Sequence, residues 1–253
     1  MDIAVLVKQV PDTYSERKLR EDDHRLDRDA ADAVIDEIDS RGVEIALQLT
    51  EAAGGEVTVV TMGPDRATET LRKALAMGAH KAVHVVDDGL AGSDALTTSA
   101  ALAAALGTLS FDLVIAGNEA TDGRTGSIPS MLAERLDLPA VTQVQKLEVA
   151  DGVVRAERAD DAGYSEVTAP LPAVVSVTEK LTEPRYPNFK GIMAAKSKPV
   201  TTLTLAELGI SPEAACVVVD ATPKPPKSAG QKVADDGTGG QQVADFLAGQ
   251  RLI

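Results

Sequence analysis

The sequence predicts an α/β protein built on a mainly parallel sheet with helices on both faces. Three observations predict it. Short β-branched runs alternate with longer segments of helical periodicity as far as Pro139. Several helical segments stop at glycine, as a chain does when it leaves a helix through a left-handed residue. Beyond Val141 the apolar period drops to two, which predicts an antiparallel extension, and beyond Lys198 the chain becomes polar and rich in Pro, Gly and Lys.

Taken in order, Ile3–Val7 (IAVLV) reads as a buried strand ending at Lys8. The polar stretch VPDTYSERKLREDDHRLDRDA reads as a loop or irregular hairpin. DEIDSRGVEIALQLTEAAGG places Ile38, Val43, Ala46, Leu47 and Leu49 at helical spacing before the Gly54–Gly55 stop. EVTVVTMGP is a strand closed by Gly-Pro, and DRATETLRKALAMGAHK is a helix ending at Gly78. AVHVV is a third strand. SDALTTSAALAAALGTL opens on an N-cap pair and runs as an Ala-rich helix to Gly107. FDLVIAG is a strand ending at Gly117, and SIPSMLAERLDLP is a helix that stops before Pro139. The alternating segment that follows turns at Asp151–Gly152 and leads to a buried strand at Ala173–Val177. The tail closes on an amphipathic helix carrying Val243, Phe246, Leu247, Leu252 and Ile253, an apolar patch suited to lying on another surface. Residues 1–198 read as the α/β domain and 199–253 as an arm.

Composition narrows the function. A formal charge of -14 argues against general nucleic-acid or anionic-membrane binding. The N-terminus lacks a basic lead and a small-residue cleavage site, so no signal peptide is expected, and no apolar run is long enough to span a membrane. The single cysteine, Cys216, fits a reducing compartment and reads as a small buried hydrophobe. His24, His80 and His84 read as surface or packing residues, and no metal-ligand spacing, nucleophile elbow, paired-carboxylate motif or Walker A loop occurs.

One segment departs from this acidic, aromatic-poor background. No Asp or Glu occurs between Glu183 and Glu207, while Arg185, Lys190, Lys196 and Lys198 gather there. Tyr186 and Phe189 contribute two of only six aromatic residues, beside Ile192 and Met193.

Ligands of open α/β sheets bind beyond the carboxyl ends of strands. The candidate ends are Leu6–Lys8, Thr61–Pro64 and Ala116–Asp122, with the helix entry at Asp36–Asp39. The stretch AGNEATDGRTGSIPS is the most suggestive. Gly123 and Gly126 would let backbone N–H groups approach a phosphate, Thr125 and Ser127 carry hydroxyls, and a helix begins next. The same residue types also form plain βα turns. A G-x-G-x-x-G dinucleotide fingerprint is absent.

Together the pieces VLVKQVPDT, VTMGP, LRKALAMGAHKAVHV, LVIAGNEATDG, LPAVVSVTEKLTEPRYPNFKGIMAAKSK and KSAGQKV run in order over nearly the whole chain. They resemble the β (small) subunit of electron transfer flavoprotein, in a bacterial, cytoplasmic form. The resemblance implies a Rossmann-like, adenine-nucleotide-binding fold and a heterodimer with a larger α subunit that holds most of a redox-active FAD. It implies a structural AMP in this chain, and electrons accepted from dehydrogenases such as the acyl-CoA dehydrogenases of fatty acid β-oxidation. Those electrons would pass to a membrane quinone oxidoreductase, with no bond chemistry by this chain. The arm 199–253 would pack on the α subunit, and Pro11–Tyr14 would face its flavin.

Carried over residue by residue, the nucleotide site comprises Leu6, Asp36, Glu37, Ile38, Asp39 and Met62. It continues through the loop Gly117, Asn118, Glu119, Ala120, Thr121, Asp122, Gly123, Arg124, Thr125, Gly126, Ser127 and Ile128. Family members often carry Asn-Pro where this chain has Asp36-Glu37, which suggests an acid turned to ribose or adenine rather than phosphate. Asp122-Gly123 and Thr125 also resemble the electron-bifurcating branch, whose β subunit binds a second FAD, although Arg124 replaces an acid common there. AMP is the preferred ligand, and FAD is the alternative. The segment near 183–198 corresponds to the recognition loop that docks on a dehydrogenase, with Phe189 as the inserted anchor and Lys190 and Lys196 around it. Tyr186, Ile192 and Met193 either join that contact or pin the segment to its own domain. A free-standing nucleotide-binding regulator or hydrolase would explain neither this segment nor the tail.

Overall fold

The computed structural model describes every residue except Pro223 and Gln231, so these two positions of the Pro- and Lys-rich stretch, Gln231 within KSAGQKV, lie outside the described residues. The chain runs β1 (Ile3–Leu6), β2 (Gln9–Pro11), β3 (Ala33–Ile35), α1 (Glu37–Ala53), β4 (Val57–Met62) and α2 (Thr68–Met77). Next come β5 (Lys81–Val85), α3 (Ala95–Leu106), β6 (Leu113–Gly117), α4 (Ile128–Leu136) and β7 (Ala140–Ala150). They are followed by β8 (Val153–Asp160), β9 (Gly163–Pro170), β10 (Ala173–Val177), α5 (Phe189–Ala195), β11 (Val200–Leu203), α6 (Leu205–Leu208) and α7 (Gly239–Gly249).

Nine strands form one sheet in the order β11-β5-β4-β1-β6-β10-β7-β8-β9. All neighbours from β11 to β7 are parallel, and β8 and β9 continue the sheet antiparallel. Period two sorts β1 between two cores. Ile3 and Val5 pack with Val43 of α1 and Leu71 of α2. Ala4 and Leu6 pack with Leu102 and Leu106 of α3 and Leu132 of α4. Helices therefore cover both faces, as the apolar pattern requires. Each large aliphatic side chain so buried contributes about 1.5–3 kcal/mol relative to exposure.

Helix ends follow local chemistry. Asp36 caps α1 through the Ile38 amide, Asp94 caps α3 through Thr97, and Gly54 and Gly78 close α1 and α2. The polar stretch after β1 is the irregular hairpin its composition allows: β2 pairs antiparallel with β3, and Leu19 bridges Leu26.

Three local expectations change. The segment after Pro187 is helical (α5), because Asn188 caps Gly191. Val200–Leu203 is an edge strand hydrogen-bonded to β5, so the first compact unit extends from Met1 to Val219, past Lys198, and Asp220–Ile253 forms the second. Cys216 is exposed, because its segment joins no strand and instead donates the Cys216 and Ala215 amides to Asp94. In the second unit, α7 exposes Val243 and Phe246, and Leu252 and Ile253 beyond it are exposed too.

Candidate functional site

The chain order places a switch point beside β1. From β1 the chain builds β4 and β5 on one side, then returns to place β6 on the other. A crevice at the carboxyl ends of β1 and β6 is the expected ligand position of such a sheet. Leu6, Met62 and Gly117 end the adjacent strands β1, β4 and β6, and α1 begins beside them.

Two buried carboxylates tie these pieces together. Asp36 Oδ1 accepts the Ile38 amide at 2.9 Å, and Oδ2 accepts both the amide and the hydroxyl of Thr121 at 2.8 Å. Asp39 Oδ1 accepts the Gly117 amide at 3.1 Å, and Oδ2 accepts the Lys8 amide at 2.8 Å. Gly117 is required here, since a Cβ would stand 2.6 Å from Asp39 Oδ1. Burial pushes the Asp39 carboxyl well above its usual range, and the neighbouring Asp36 adds to that, against the bonds from Lys8 and Gly117. Every oxygen of Asp36 and Asp39 thus has a partner within the protein. Glu37, between them, is exposed.

A third acid fastens the outer loop. The Asp122 side chain, 1% exposed, pairs with Lys8 at 2.9 Å and Arg28 at 2.6 Å. Burial alone would raise its pKa, but the charges and hydrogen bonds of Lys8 and Arg28 outweigh it and lower the value to about 2. Lys8 stands in the sequence only as the end of the first strand, and Arg28 carries no signal there. Arg28 lies in a polar stretch with no period, so only the fold shows that it reaches Asp122.

The loop itself offers the right groups for an anionic nucleotide. Arg124 and Gly126 adopt left-handed backbone, with φ of 49° and 65°. Helix α4 begins without a side-chain cap, leaving first-turn amides available to an anion. The hydroxyls of Thr125 and Ser127 make no hydrogen bond among the described residues. Asn118 Oδ1 is buried without a partner, an acceptor that a ligand donor would satisfy. Glu119 and Arg124 face each other loosely at 3.8 Å. These groups suit an anion met by amides and hydroxyls, beside a ligand N–H or O–H donor.

The basic segment is a second constellation in the same unit. Arg185 is gripped by Glu44, 2.7 Å from its Nε, and by Glu51 at 2.5 Å, while its own amide also donates to Glu44. The two carboxylates raise the Arg185 pKa further. Arg72 donates to the carbonyls of Ala195 and Lys198, at 2.6 and 3.0 Å. Lys198 crosses the end of α2, donating to the Leu75, Gly78 and Ala79 carbonyls. Gly191 lets α5 lie on α2, because a Cβ there would collide with the Ala76 carbonyl oxygen. Arg185 and Lys198 are therefore fasteners. Lys190 and Lys196 are exposed, and their ammonium groups have no partner among the described residues. Tyr186 and Phe189 stand out at 96% and 78% exposure, and Ile192 and Met193 are about half exposed.

His84 is buried, with Nε2 2.9 Å from the Gly63 carbonyl, and is a packing residue; His80 is an exposed residue whose ring accepts the Val57 amide. No cluster suited to a metal ion occurs among the described residues.

Comparison with known proteins settles the family. An electron transfer flavoprotein domain matches residues 24–208. The electron transfer flavoprotein subunit beta of Mycobacterium tuberculosis is 54% identical over 264 aligned residues, covering 100% of this chain and 99% of the relative. The chain belongs to the electron transfer flavoprotein β-subunit family. The Bacillus subtilis subunit beta is 37% identical, covering 88% of this chain and 84% of its own length. The CarD subunit of the caffeyl-CoA reductase–Etf complex of Acetobacterium woodii is 38% identical, covering 85% of this chain and 82% of its own.

Proposed function

We propose that this chain is the β subunit of a heterodimeric electron transfer flavoprotein, working in the cytoplasm with a larger α subunit. It binds a structural AMP and docks on acyl-CoA and related dehydrogenases, whose electrons pass through the pair to a membrane quinone oxidoreductase. No helix among the described residues is long and apolar enough to cross a membrane. The FAD, held mainly by the α subunit, supplies the redox chemistry. This chain's residues orient and recognise, and none performs bond chemistry.

The observation that carries this reading is the exposed Phe189 ring at the start of a helix clamped from both ends by Arg185 and Lys198. A large apolar group held rigidly in water is a poor element of a lone domain and a good anchor for a partner pocket. Lys190 and Lys196 beside it supply steering charge. The AMP would lie across Leu6, Met62 and the Gly117–Ile128 loop. The α4 amides, Thr125 and Ser127 would meet its phosphate, and Asn118 Oδ1 would accept from a ligand N–H or O–H. Asp36 and Asp39 would shape that loop rather than touch the ligand. Tyr14, 97% exposed, and the rest of Pro11–Tyr14 would face the flavin, and the arm with α7 would lie on the α subunit.

A second reading keeps the fold and replaces AMP by a second FAD in this chain. It is favoured by Asp122-Gly123 with Thr125. The functional test is stopped-flow reduction of the reconstituted heterodimer by an acyl-CoA dehydrogenase. Phe189→Ala is expected to raise the KM for the dehydrogenase about thirty-fold, the effect of losing one hot-spot anchor of roughly 2 kcal/mol, at unchanged flavin content. An unaltered rate at every dehydrogenase concentration would refute the docking assignment.

A further inference from the structure

A cavity of about 670 Å³ lies beside the clamped segment, between it and α1 and α2. Its floor is apolar, formed by Ala76, Met77, Ile192 and Ala195, and Tyr186 stands at its edge. Its charged lining residues are all cationic: Arg72, Lys73, Arg185 and Lys196, with no Asp or Glu among them. On a chain of formal charge -14 this is an inversion of the surrounding field. Arg72 and Arg185 are spent on carbonyls and on Glu44 and Glu51. Lys73 and Lys196 are exposed and have no ionic partner among the described residues.

We infer that this cavity receives an apolar side chain flanked by carboxylates, presented by the dehydrogenase that docks on the Phe189 helix. The proposal rests on the docking reading above. It makes recognition reciprocal: Phe189 enters the partner, and the partner enters the cavity. Charge complementarity selects the occupant. An apolar floor rewards a Leu- or Met-like group, and two unpartnered ammonium groups at the rim reward adjacent Asp or Glu. The cavity is of the size that buries a ligand-sized group, so it accommodates a side chain with flanking backbone. The clamps by Arg185, Arg72 and Lys198 keep it formed before the partner arrives, which limits the ordering cost of binding.

The test uses the intact heterodimer with methyl-labelled β chain and two blocked peptides, Asp-Glu-Leu-Leu-Asp and Lys-Lys-Leu-Leu-Lys. The acidic peptide is expected to shift the methyl resonances of Ala76, Met77, Ile192 and Ala195 saturably, and the basic peptide is not. Joint replacement of Lys73→Glu and Lys196→Glu, both at exposed positions, should weaken the acidic peptide at least ten-fold. It should also raise the KM for the dehydrogenase at least ten-fold. Unmoved methyl resonances, equal shifts by both peptides, or unchanged peptide affinity in the double variant would overturn the cavity as an acidic-segment site. Peptide binding with an unchanged KM would overturn the dehydrogenase as its occupant. Failure of the docking reading is read separately, from Phe189→Ala: if that variant transfers electrons normally while the Lys73/Lys196 variant does not, the Phe189 anchor falls and the cavity stands.

Discussion

Replacing Asp36 by Ala probes the joint between the α1 cap and the candidate nucleotide loop. The substitution removes the acceptor of the Ile38 amide and of both Thr121 donors. Loss of an N-cap aspartate costs about 1 kcal/mol. Each hydrogen bond to a charged acceptor is worth roughly 1.5–3 kcal/mol, and the lower end applies because Thr121 is only partly buried and can find water. Removing the Asp36 charge also relieves its repulsion of Asp39, which offsets part of that loss. The net expectation is a loss of about 3 kcal/mol, or a Tm lower by roughly 6–12 °C for a chain of this size. The assay is thermal unfolding of the heterodimer at neutral pH, paired with chromatography of the nucleotide it retains. Asp36→Asn keeps an acceptor and should lose less than half as much. AMP occupancy should fall in step with stability, because Thr121 sits within the Gly117–Ile128 loop. A Tm within about 2 °C of the parent, or full AMP retention in a destabilised protein, would refute the idea that Asp36 holds the loop in its binding shape.

Two other expectations follow from the same geometry. Gly191→Ala drives a Cβ into the Ala76 carbonyl, so α5 must lift from α2; stability should drop by about 1–3 kcal/mol in denaturant unfolding, and the KM for the dehydrogenase should rise with it. The Asp122 carboxyl titrates near 2 when folded and near 3.8 when free, so its contribution is complete above about pH 4 and fades as pH falls towards 2. Asp122→Asn should remove that step from the pH–stability curve and cost about 1–2 kcal/mol at pH 7, allowing for solvent around half-exposed Lys8 and Arg28.

Most of the fold was legible because its signals are local. Period 3.6 in α1 and α2, continuous apolar runs in β1 and β6, the β-branched run of β4, and glycine stops each need only a few neighbouring residues. The edge strand β11 was not legible, since Val200–Leu203 is short and half polar, and its partner β5 lies more than a hundred residues earlier. The α5 helix was hidden because Pro187, Asn188 and Gly191 read as loop residues until the Asn188 cap is seen. For the nucleotide loop, sequence brought together strand ends and glycines but could not say where Asp36 and Asp39 point. They turn into the protein, onto amides up to 85 residues away. Glu44 and Glu51 likewise carry no local signal of a partner. They recur two turns apart on one face of α1, and only the return of the chain at Arg185, 141 residues after Glu44, gives them a partner.

The nucleotide content of the heterodimer tests the central claim most directly. Co-purified with its α subunit, denatured and chromatographed, the complex should release one FAD and one AMP per heterodimer. Two FAD would assign this chain to the electron-bifurcating branch and make Gly117–Ile128 part of a redox centre, and release of neither nucleotide from a folded complex would contradict the account altogether.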